Sequence, residues 1–158
     1  WRYFSGHGPA TLRDFSWWSG LSLGDARLGL QGAEKKLKKE EWEGNTYYFD
    51  SRFSKEKEMR ERVWLLPNYD EYTIGYWSKG ALYLSGKNPL SFAGGYYHAI
   101  VKGGMVEGMW RRETKKDKVI IRTHLAQKLS SAENESFKKA VREYSLFLEK
   151  ECESRNND

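Results

Sequence analysis

Apolar positions recur at helical spacing in three stretches of the chain and follow strand-like patterns in most of the others. Leu12, Phe15 and Trp18 fall on one side of a helix, Leu23, Ala26 and Leu30 on one side of a second, and Phe137, Ala140, Val141, Tyr144 and Leu148 along one face of a third. The runs Lys36–Trp42 and Thr46–Asp50 read as strands, as do Val63–Leu66, Ala81–Leu84, the stretch from Tyr96 to Arg111 and Lys118–Thr123. Each helix has a start signal. Thr11 with Asp14, Ser22 with Asp25 and Ser130 with Glu133 place a hydroxyl three residues before an acid, the pattern that caps the first turn.

The connections sharpen this pattern. Gly20 closes the first helix where a positive φ is needed, and the next cap follows at Ser22, so the two helices must cross steeply, as in a helix-turn-helix. The two strands after the second helix are joined around Glu43-Gly44-Asn45, which makes a hairpin, or wing. Lys102-Gly103-Gly104-Met105 predicts a two-residue turn, and counting outward from it pairs Val101 with Val106, Ala99 with Gly108 and Tyr97 with Trp110 on an apolar face. On the other face Lys102 meets Met105, Ile100 meets Glu107, His98 meets Met109 and Tyr96 meets Arg111. Gly108 suits a close backbone approach in a twisted sheet, and the last helix should cover that sheet. Gly94-Gly95 reads as a turn, and the charged tail Glu149–Asp158 is expected to fray. Near the N-terminus, Trp1–Ser5 should end a helix or strand, with Trp1 and Phe4 packed on Phe15.

Three stretches carry a resemblance. RYFSGHGPATLRDFSWWSGL, LLPNYDEY and GMVEGMWRR together are similar to a family of bacterial winged-helix DNA-binding proteins that includes alkylpurine and crosslink DNA glycosylases. The resemblance covers nearly the whole chain but only the C-terminal half of such proteins. It implies an α+β fold: a winged helix-turn-helix, then a small curled, barrel-like antiparallel β unit covered by a C-terminal helix. The expected domains are residues 1–50, a charged linker at 51–62, and 63–158. The resemblance also implies that the catalytic Gln-x-Gln pair of the family's glycosylases belongs to a missing N-terminal half, for Gln31 and Gln127 stand far apart here.

Composition narrows the classes. With 39% hydrophobic and 15% aromatic residues among 158, the chain must bury a core, and no apolar run reaches the length of a membrane span or a signal-peptide core. It begins at Trp1, so it is expected to be a fragment of a cytoplasmic protein, and its one cysteine, Cys152, excludes an internal disulfide. The net charge of +5 favours anionic partners without naming one. Residues 102–128 hold 8 basic and 3 acidic groups, whereas 129–158 hold 5 and 7.

Candidate chemistry is sparse. Histidines at 7, 98 and 124 give no metal-ligand spacing, and neither a metal nor a small-molecule cofactor is implied. His7, in the break Gly6–Pro9, is expected to bond a backbone group in that turn. Asp70 and Glu71 are adjacent and so point apart. Capping a short helix after Pro67 is the simpler task for Asp70, which is the one weak catalytic candidate because it stands in LLPNYDEY. The expected partner is double-stranded DNA. Arg27 and Gln31 lie off the apolar stripe of the second helix, the recognition position of the motif, and Lys35, Lys36, Lys38 and Lys39 flank the wing where a phosphate backbone would pass. Arg13, Arg111 and Arg112 complete the candidate DNA contacts. The other class is a non-enzymatic winged-helix regulator or architectural protein, or a helix pair that contacts protein, which Gly24 and Asp25 favour.

Overall fold

The computed structural model describes residues 1–52, 60–78, 82 and 98–156. It divides into two compact units, Trp1–Lys55 with Glu71–Ser78, and Glu56–Asp70 with Lys79–Asp158. The expected division at 50 and 63 and this one both separate the hairpin from the later strands, but they assign Glu71–Ser78 differently. The expected strand Ala81–Leu84, apart from Leu82, the Gly94-Gly95 turn, Tyr96, Tyr97 and most of the charged linker lie outside the described residues.

In the first unit α1 (Arg2–His7) leads through β1 (Ala10–Thr11) into α2 (Leu12–Ser19) and α3 (Leu23–Ala33). Local chemistry sets the boundaries. The Thr11 hydroxyl accepts from Asp14 N while the Asp14 carboxylate accepts from Thr11 N, closing the capping box, and Gly20 ends α2 at φ 72°. The Ser22 hydroxyl accepts from Asp25 N at the start of α3. One 3-10 turn, Glu34–Lys36, then delays β2 (Leu37–Trp42) by one residue relative to the expected Lys36. The hairpin turn uses two residues, Glu43 at φ 46° and Gly44 at φ 74°, so Asn45 already pairs with Trp42 and opens β3 (Asn45–Asp50). The strands form an antiparallel sheet in the order β1-β3-β2.

Tyr3, Phe4, Ala10 and Leu30 form the first core, with Leu12, Phe15, Leu37, Tyr48 and Tyr76 against it. Two expected packing positions are corrected. Phe4 meets Phe15, ring centroids 5.6 Å apart, but Trp1 is half exposed beside Lys36 and Arg52, because Tyr3 and Phe4 fill the space it would need. Leu23 is exposed as well: at the first position of α3 its side chain leans back over the turn, past the end of the core.

The second unit is a five-stranded sheet in the order β4-β5-β6-β7-β8, with β4 Val63–Leu65, β5 His98–Lys102, β6 Met105–Thr114, β7 Lys118–Leu125 and β8 Glu151–Asn156. The turn at Gly103 (φ 56°) and Gly104 (φ 86°) sets the first two pairs as expected, Lys102 with Met105 and Val101 with Val106. Beyond them the register is corrected by a β-bulge. Glu107 is an extra residue in β6, so Ile100 meets Gly108, Ala99 meets Met109 and His98 meets Trp110. The bulge therefore moves Trp110 to the face under α5 (Ser131–Leu148), where its ring lies 4.4 Å from His98 and 5.2 Å from Tyr144.

Val63, Ile100, Trp110, Ile121, Phe137 and Val141 make this core, so α5 does cover the sheet. Its capping box is Ser130 with Glu133, and Glu133 also pairs with Lys102 at 3.4 Å. As far as Asn156, the tail expected to fray is paired instead. Glu149, at φ 52°, turns the chain, and β8 pairs in parallel with β7, from Lys118 with Glu151 to Thr123 with Asn156, α5 serving as the crossover. Cys152 packs on the core and Lys118 pairs with Glu153 at 2.6 Å, which explains why so charged a segment forms an edge strand. The unit is thus mixed rather than purely antiparallel. No described helix is long and apolar enough to cross a membrane.

Candidate nucleic-acid interface

The stripe Ala26, Leu30 and Ala33 buries one side of α3 and leaves Arg27 and Gln31, one turn apart, exposed on the other. Lys35 and Lys36 follow in the 3-10 turn, also exposed. Lys38 and Lys39 are successive in β2 and so leave on opposite faces of the hairpin, with Lys39 held by Glu34 at 3.3 Å. The four lysines are therefore not one patch: Lys35 and Lys36 are exposed in the turn that follows α3, with Lys36 Nζ 6.0 Å from the Trp1 ring centre, and Lys38 and Lys39 diverge. Arg13 is exposed on α2 with its guanidinium 5.6 Å from the Trp77 ring centre. In the second unit Arg111 and Arg112 are exposed and adjacent in β6. Arg112 donates to the Tyr144 hydroxyl at 2.7 Å, while Arg111 is paired with Arg122 across the ladder.

At the foot of the hairpin the buried Asp50 carboxylate accepts from Arg52 N, Nε and Nη2 and from the Ser5 hydroxyl. These bonds, those from Arg52 first, hold its pKa well below the usual carboxylate range. A depressed carboxyl stabilises the fold above its unfolded pKa, about 3.9, and that contribution fades as pH falls through the folded value. Arg52→Ala should therefore move the onset of acid unfolding of the first unit to higher pH, followed by far-UV circular dichroism. An unchanged acid transition would mean that Ser5 and solvent suffice for Asp50.

Sequence reasoning missed a second cluster. His7 does not bond a backbone group through its ring. Its imidazole stacks on Tyr3 at 4.7 Å, and its Nε2 lies 3.4 Å from Glu71 Oε2, while Nδ1 is buried with no hydrogen-bond partner among the described residues. Trp18 Nε1 donates to both Glu71 oxygens at 3.1 Å, Trp17 Nε1 donates to Ile74 O at 2.9 Å, and the Tyr3 hydroxyl donates to Gly75 O at 3.1 Å. Tyr76 returns the contact by donating to His7 O at 2.9 Å. Burial and then neighbouring negative charge push the Tyr3 phenol up, and burial followed by neighbouring phenol and carboxylate groups raises Tyr76 to about 12, so both remain donors. Together these bonds dock α4 (Glu71–Ile74) and the residues after it onto α1 and α2. The acid chosen for this is Glu71, whereas Asp70 stands immediately before α4. Trp18, expected on the apolar side of α2 with Leu12 and Phe15, is 44% exposed instead, and the available signal was that it and Trp17 each carry an N–H to satisfy.

This architecture, a capped helix pair with a hairpin and a five-stranded sheet under a long helix, is that of a DNA glycosylase of known structure. Streptomyces sahachiroi DNA glycosylase AlkZ superposes with a TM-score of 0.72 at 18% identity, over 98% of this chain and 43% of that one. The chain thus spans less than half the length of the structure it matches. The AlkZ-like family model, described as DNA glycosylase AlkZ-like, matches residues 1–147, and the chain belongs to that family. No curated protein matches it.

Proposed function

We propose that this chain is the DNA-binding part of a winged-helix, glycosylase-like repair protein of the cytoplasm. In this reading α2 and α3 form the helix-turn-helix, β2 and β3 the wing, and the residues that excise the base lie outside residues 1–158. Membership of the AlkZ-like family supports a DNA substrate. The observation that carries the rest is the exposure of Arg27 and Gln31 on α3 and of Lys35 and Lys36 in the turn that follows it, side chains of the kind that meet base edges and phosphate. The absence of a Gln-x-Gln pair supports placing hydrolysis elsewhere. A non-enzymatic regulator or protein-contacting role is favoured by one feature, the exposed Leu28, 67% accessible on the same side of α3 as Asp25.

Fluorescence anisotropy with two unrelated duplexes at several salt concentrations separates these readings. The parent should show a log–log salt slope of about −2 to −4, as two to four released counterions require. Replacing Lys35, Lys36, Lys38 and Lys39 by Glu should weaken both duplexes equally, and neither protein should release a base from alkylated duplex. A flat slope with unchanged binding of the fourfold variant would favour protein contact, and an abasic product would place catalysis within this chain.

A further inference from the structure

Arg112 lies on the α5 face of β6, and its described bond is to a neutral phenol, Tyr144 Oη, rather than to a carboxylate. No ion pair among the described residues involves it, and its uncancelled charge, after burial, helps hold His98 below the usual imidazole pKa. Next to it, Tyr144 and Phe147 present nearly parallel rings, centroids 6.4 Å apart at 21°, and Phe147 is 80% exposed at the end of α5 with Leu146 beside it. Tyr144 is fixed from behind by the edge of Trp110, whose own N–H is held by Leu66 O at 3.0 Å. An aromatic surface anchored at Tyr144, with an unneutralised guanidinium at its margin, has the chemistry for a planar ring joined to an anion.

We propose that the second unit binds an unpaired nucleotide of single-stranded DNA, the base stacking on Phe147 and Tyr144 and a phosphate meeting Arg112. In a duplex both faces of each base are already stacked, so only an unpaired or unstacked base can use such a surface. An apolar patch alone would suit a protein partner equally, but a guanidinium held in place without a counter-charge selects an anionic one. The inference rests on the family's DNA substrate but not on the winged-helix contact, since none of its residues lies in the first unit.

A short oligothymidylate, labelled for anisotropy and measured at low salt, is the probe. Phe147→Ala should weaken its binding about tenfold, within the range for loss of one base–aromatic stack, and leave thermal unfolding unchanged because the ring is exposed. Arg112→Gln should weaken it and lower the salt slope by about 1. The fourfold lysine variant should keep oligothymidylate binding even where it loses duplex binding, so failure of the duplex reading leaves this one standing. Absence of oligothymidylate binding by the parent, parent-like binding by Phe147→Ala, or loss of it in the lysine variant would each overturn the proposal.

Discussion

Replacing Asp14 by alanine is expected to destabilise the first unit by about 3 kcal/mol, the sum of two effects that one carboxylate holds together. Asp14 is 4% exposed. Its Oδ2 accepts from Thr11 N at 2.8 Å and from the Thr11 hydroxyl at 2.7 Å, and its Oδ1 accepts from Trp77 N at 2.8 Å, with Ser78 N at 3.4 Å. Loss of the carboxylate half of the α2 capping box, the acceptor for the Thr11 amide and hydroxyl, costs about 1 kcal/mol, while the Thr11 hydroxyl still caps the N–H of residue 14. Each part-buried backbone N–H left without an acceptor costs about 1–3 kcal/mol more, depending on how much water reaches it. Asp14→Asn should cost less, since one oxygen remains to accept. The urea midpoint followed by tryptophan fluorescence, with an unchanged slope, tests the size. An alanine variant as stable as the parent would mean that Trp77 N and Thr11 N find other acceptors.

Gly108→Ala should destabilise the second unit by about 2–3 kcal/mol, as overpacking against an unyielding neighbour does. A Cβ there would overlap the His124 carbonyl oxygen and stand 3.0 Å from Leu125 Cα, both backbone atoms of the paired strand β7. Gly32→Ala is the internal contrast. It lies in α3 with nothing within 4 Å of the added atom, and it should stabilise by about 0.5–1 kcal/mol. Thermal unfolding of the two variants should therefore shift in opposite directions. Equal shifts would contradict the close strand approach at Gly108.

All three helix caps and the two-residue turn at Gly103-Gly104 were legible in the sequence because each depends on residues within four positions of one another. The glycine in a strand marked the close approach at Gly108, whereas the wing turn was read one residue too long, Asn45 being already paired with Trp42. The bulge at Glu107 was not legible. Simple alternation pairs it with Ile100, and only the need to bring Trp110 beneath α5 distinguishes the two registers. Likewise β8 shows no apolar alternation, since pairing with β7 and the Lys118–Glu153 contact, rather than two buried faces, hold it. At the candidate site, exposure of Arg27 and Gln31 followed from the apolar stripe Ala26, Leu30 and Ala33 on α3. The choice of Glu71 over Asp70 could not follow, because Trp18 and His7 stand 53 and 64 positions away. Nothing local marks which of two adjacent acids will meet them.

The path of the chain has a practical consequence for dissecting the molecule. The first unit is assembled from two separate lengths of sequence, with Glu56–Asp70 between them belonging to the second. A cut placed anywhere in that intervening stretch removes the backbone partners of Asp14, Tyr3 and Trp17 supplied by Trp77, Gly75 and Ile74. Neither unit can then be excised with a single pair of ends. A version of the first unit made for separate study would need Glu71–Ser78 rejoined to Lys55 by a new connector, or supplied in trans as a peptide whose binding would itself measure the strength of the docking.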